Sequence, residues 1–104
     1  MSIAEFEVKF ASEVEDEIKE VFQWYVSQSP LAAKKLTESL DELFEFLSIN
    51  PHSFSKQRKN FRVAYIKKFP FAVVYEITGG YVLILRIIHT SRNPGKRFGK
   101  LRRK

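Results

Sequence analysis

The chain contains no cysteine. Disulfides, thiolate metal sites and thiol nucleophiles are therefore excluded, and a reducing compartment suits the composition. No apolar run approaches the roughly 20 residues of a membrane-spanning helix. The first residues, MSIAEFEVKF, carry acids where a secretory signal would carry a basic segment and a long apolar one, so a cytoplasmic protein is expected. Repeats, long linkers and Gly/Ser-rich low-complexity segments are absent. Acidic residues nearly vanish after residue 50, where Glu76 alone remains. Metal or glycosidase chemistry that needs several carboxylates is thus disfavoured in that half.

What is present is a packed domain with an uneven charge. A chain of 104 residues with 44% apolar and 14% aromatic content buries about two-thirds of the surface that its unfolded form exposes. The formal net charge of +6 divides into −7 for residues 1–50 and +13 for residues 51–104. Seven of the 18 Lys and Arg residues fall within residues 92–104. The second half should therefore present a positive field, suited to nucleic acid or to an acidic protein partner.

Hydrophobic spacing predicts the elements. Ile3 to Phe10 alternates, with Phe6, Val8 and Phe10 on one face and charges on the other, as in a half-buried strand suited to an edge. Ser12 and Glu15 form an S-x-x-E capping signature for a first helix, whose apolar stripe is Val14, Ile18, Val21, Phe22 and Tyr25, flanked by Trp24. Ser29 suits an N-cap and Pro30 the first turn of a second helix. Asn50-Pro51 ends that helix, because the residue before proline disfavours helical backbone. The short link implies an αα-hairpin. Residues 52–60 read as a basic loop and Phe61 to Lys67 as a strand, with Phe61, Val63 and Tyr65 facing one way and Arg62, Ala64 and Ile66 the other. Phe71–Thr78, Gly79-Gly80 and Tyr81–His89 form a hairpin; a two-residue turn pairs Thr78 with Tyr81, Tyr75 with Ile84 and Val73 with Arg86. The order β-α-α-β-β-β defines an α+β fold, with the N-terminal strand and a helical hairpin packed on a mostly antiparallel sheet. Both hairpin faces are apolar and two helices cover only one, so the C-terminal segment or a partner chain is expected on the other. Arg86, a lone cation on an apolar strand, reads first as a paired structural residue.

The polar residues cluster where the hairpin ends, at His89, Thr90, Ser91, Arg92 and Asn93, before Pro94. Ser91 and His89 make no hydrolase triad, since a nucleophile elbow and an orienting acid are missing. Phosphate binding fits better. Arg62, Lys67, Lys68, Arg92, Lys96 and Arg97 supply cations, with Tyr65 and Phe98 for stacking. RNA cleavage through the 2′-hydroxyl needs a base, an acid and charge stabilisation, roles open to His89, Arg92 and Arg62. A strand-end His89 bonded to backbone is the competing reading. No metal or cofactor is expected.

The sequence resembles the RelE/ParE superfamily of toxins from type II toxin–antitoxin modules. The resemblance is carried by Arg62, by Phe69-Pro70-Phe71-Ala72-Val73-Val74-Tyr75, by Ile87-Ile88-His89 and by Arg92-Asn93-Pro94. Upstream, the Ile18 to Tyr25 helix, the Ser29-Pro30 start and Pro51 fall in step. It spans residues 3 to about 98, implying one toxin domain over 1–98 and a basic tail over 99–104. The resemblance implies a bacterial cytoplasmic protein neutralised by an acidic, partly disordered antitoxin in a hetero-oligomer. RelE-like members cut messenger RNA on the ribosome with a Lys/Arg cluster and often a C-terminal tyrosine; ParE-like members poison DNA gyrase and are not nucleases. Here Ala72 stands where that cluster would want a cation, and the C-terminal aromatic is Phe98. The ParE-like branch is therefore the first expectation: a growth-inhibiting, non-enzymatic toxin that recognises its target through Lys67, Lys68, Lys96, Arg97 and Phe98. The alternatives are a metal-independent endoribonuclease using His89, Arg92 and Arg62, and an inactive nucleic-acid-binding module of the same fold.

Overall fold

The computed structural model describes residues 5–90. Its elements are β1 (Glu7–Phe10), α1 (Ser12–Gln28), α2 (Pro30–Ile49), a 3-10 turn (Pro51–Ser53), β2 (Lys56–Arg58), β3 (Phe61–Tyr65), β4 (Phe71–Thr78) and β5 (Tyr81–His89). The five strands form one sheet in the order β1-β5-β4-β3-β2. β1 runs parallel to β5 and every other pair is antiparallel. This is the expected α+β arrangement, extended by β2, whose three exposed residues fell within the predicted loop. A three-residue basic strand has no apolar alternation to announce it.

The helix junctions follow from single residues. Ser29 accepts the Ala32 N–H on its hydroxyl at 3.2 Å and gives its own N–H to the Tyr25 carbonyl at 2.7 Å. One residue therefore closes α1 and opens α2, with Pro30 in the first turn. The start of α1 differs from expectation. Ser12 is already helical; Ala11 is the N-cap, and no side chain caps the helix. The cause is strand pairing: Ala11 donates to the Ile84 carbonyl at 2.9 Å, which keeps it extended and moves the boundary one residue on.

The main core lies between the helices and one sheet face. Val14, Leu36, Leu40 and Leu47 meet Ala64, Ile66, Val73, Tyr75, Val82, Ile84 and Ile87. A second cluster, Phe61, Val63, Ala72, Val74 and Leu85, occupies the opposite face. Ala72 and Val74 there are fully buried, while Leu83 and Ile88 beside them are only partly buried.

The hairpin register holds only near its turn. Gly79 adopts φ 59°, as the tight turn requires. Thr78 opposes Tyr81 and Tyr75 opposes Ile84, but Val74 then opposes Arg86 and Val73 opposes Ile87. Leu85 is an extra residue, a β-bulge. Without it Arg86 would face fully buried Val73 on the helix side of the sheet, a costly place for a charge. With it, Ile87 enters the main core and His89 follows on the same face. Arg86 instead meets α1, its Nε donating to Glu17 Oε2 at 2.5 Å. Arg86 is thus the paired structural cation that the sequence suggested.

Glu17 does a second thing. Its Oε1 accepts the Ile87 N–H at 3.1 Å. β1 pairs with β5 only as far as Ile84, so beyond that point the β5 edge has no strand beside it among the described residues. The carboxylate covers this edge and fastens α1 to it. Replacing Glu17 with Ala leaves a guanidinium and a backbone donor without their acceptor, both partly reachable by water. The expected loss is about 2 kcal/mol of folding stability, measured by urea denaturation. A loss under about 0.5 kcal/mol, the scale of an ordinary surface substitution, would show that water replaces the carboxylate.

Candidate recognition site

The bulge brings His89 to the helix side at the end of β5, opposite Phe71. Their rings meet edge-to-face at 5.1 Å between centroids. Thr90 N–H donates to the Pro70 carbonyl at 2.9 Å, which closes the end of the hairpin against the β3–β4 turn. α1 passes beside this end. Tyr25 packs edge-to-face on Phe69 at 5.5 Å, on Phe71 at 6.3 Å and on Trp24 at 4.9 Å. The result is a cleft of about 360 Å³ walled by α1 through Glu20, Val21, Trp24 and Tyr25, and by the sheet through Pro70, Phe71 and His89. Glu17, Glu20, Val21 and Trp24 recur at helical spacing on one side of α1, so the side that fastens the helix to β5 also walls the cleft.

The other candidate residues lie elsewhere. Arg62 sits on β3 opposite Tyr75, and its guanidinium donates to the Phe54 carbonyl at 2.5 Å. The Tyr75 hydroxyl, fully buried, donates to the Pro51 carbonyl at 2.6 Å. Together they pin the segment after α2 to the sheet. Along β4, Arg62 and His89 are separated by four residues, about 13 Å, and by two strand spacings, about 10 Å. The fold does not bring them to one phosphate. Lys67 and Lys68 are exposed in the β3–β4 turn, beside Glu38 and Glu42 of α2 rather than beside His89. Lys68 holds φ 70° there, which fixes the turn. Arg92, Lys96, Arg97 and Phe98 lie outside the described residues. Among the described residues no group of three His, Asp or Glu side chains could hold a metal ion, and no helix is long and apolar enough to cross a membrane.

The sequence reading singled out neither Glu17 nor Glu20 as a site residue. Their signal was the shared spacing with Val21 and Trp24, but only the passage of α1 along the β5 edge gives that face something to do.

Among the described residues the cleft offers rings, one imidazole and one carboxylate, without the cations that phosphate chemistry needs. Fold and site together define a small α+β domain with a helix-walled cleft. A family model described as the ParE toxin of the type II toxin–antitoxin system, parDE, matches residues 8–94. The chain belongs to this family, the ParE-like branch of the RelE/ParE superfamily. It is 28% identical over 82 residues to the toxin ParE2 of two Mycobacterium tuberculosis strains, CDC 1551 and H37Rv, with 78% of each chain covered. A solved structure titled as a chromosomal ParDE toxin–antitoxin system from P. aeruginosa has the same fold, with a TM-score of 0.72 and 19% identity over 83% of this chain and 97% of that one.

The Tyr75 lock carries a pH signature. Burial pushes its phenol up to about 12, partly offset by the Arg62 charge and by a backbone hydrogen bond at Phe54. The unfolded phenol ionises near 10, so between these values the unfolded state has released a proton that the folded state retains. Stability is therefore complete below pH 10 and is lost progressively as pH rises toward 12. Tyr75→Phe should flatten that decline in alkaline urea denaturation; an unchanged slope would assign the decline to other groups.

Proposed function

We propose that this chain is the toxin of a toxin–antitoxin pair, that it arrests growth by binding DNA gyrase in the cytoplasm, and that an acidic antitoxin restrains it. The observation that carries this reading is the match of the ParE toxin family model over residues 8–94. The P. aeruginosa structure, titled as a ParDE system, supports a complex with an antitoxin. The balance of +13 over residues 51–104 supports an acidic partner. On this reading residues 1–98 are the toxin domain and 99–104 a basic tail that helps recognise the target, together with Lys67, Lys68, Lys96, Arg97 and Phe98. The separation of Arg62 from His89 weighs against a nuclease, because charge stabilisation and proton transfer must act on one phosphate.

Induced expression in bacteria, with and without the neighbouring gene, tests the proposal. Growth should stop without that gene and resume with it. Gyrase supercoiling by purified components should be inhibited by the toxin alone and restored by the neighbouring gene's product. Primer extension on messenger RNA should show no codon-linked cuts. Cuts that vanish in His89→Ala, with supercoiling intact, would establish the endoribonuclease instead. Continued growth on induction would remove the toxic activity altogether.

A further inference from the structure

We draw no further inference here: the strongest candidate, the apolar groove between α1 and α2 lined by Ile18, Phe22, Leu40 and Phe44, carries both charge signs at its rim in Lys19 and Asp41, and nothing in the structure shows what covers it.

Discussion

The fold turns on one extra residue in its last strand and on the carboxylate beside it. A regular hairpin would place Arg86 opposite Val73, inside the main core. The bulge at Leu85 exchanges that arrangement for Ile87 in the core and Arg86 at the edge. Glu17 then takes both the guanidinium and the Ile87 N–H. Because β1 leaves β5 after Ile84, the edge needs an acceptor at this point, and α1 supplies one from its second turn. The position of α1 and the face of His89 thus share a cause. Together these partly exposed hydrogen bonds contribute about 2 kcal/mol, a visible part of a domain's margin of roughly 5–15 kcal/mol.

A second fastening, at the far side of the sheet, explains why Arg62 belongs to the scaffold. The chain leaves α2 at Asn50 and must turn back through the 3-10 segment to reach β2. The carbonyls of Pro51 and Phe54 on this return path face the sheet. Tyr75 and Arg62, opposite each other on β4 and β3, donate to them. A buried carbonyl without a donor is costly, so these long polar side chains stabilise by satisfying backbone as much as by packing. Arg62 looked catalytic in the sequence because a cation near aromatic strands suits phosphate. Its guanidinium is already engaged in holding the loop.

Much of this was legible beforehand, for local reasons. Ser29-Pro30, Asn50-Pro51 and Gly79-Gly80 act through the conformations of the residues themselves, and tertiary structure had nothing to overrule. The alternation in β3 placed Ala64 and Ile66 on one face and Phe61 and Val63 on the other, as observed. The failures share a different property. Ser12 lost its capping role because Ala11 is held extended by Ile84, a residue 73 positions away. The Val73–Arg86 pairing failed because periodicity assumes an unbroken ladder, and a bulge is a response to what would otherwise be buried. The cleft was invisible for the same reason. Glu20 and Trp24 become a wall only when α1 crosses the end of β5.

Two arguments had pointed toward a protein partner, and the structure separates them. The first was an uncovered apolar sheet face. That face carries Ala72, Val74, Val63, Phe61 and Leu85, all buried, with Leu83 and Ile88 partly buried beside them, so it gives a weaker reason for a partner than its sequence suggested. Its residues are mostly small or β-branched, and neighbouring side chains cover such a surface more readily than they would cover a face of leucine and phenylalanine. The second was charge, which folding does not remove. Among the described residues after residue 50, Arg86 has a carboxylate partner in Glu17 and Arg62 is held by a carbonyl. Lys56 and Lys59 stand exposed near the β2 edge, and Lys67 and Lys68 at the opposite turn. Such separated cations contribute little to folding, since exposed charges gain at most about 1 kcal/mol from a neighbour. Their effect is a field directed outward, strongest at low salt. A partner for this domain is therefore to be sought by electrostatic complementarity along the basic strands, rather than by apolar area on the sheet.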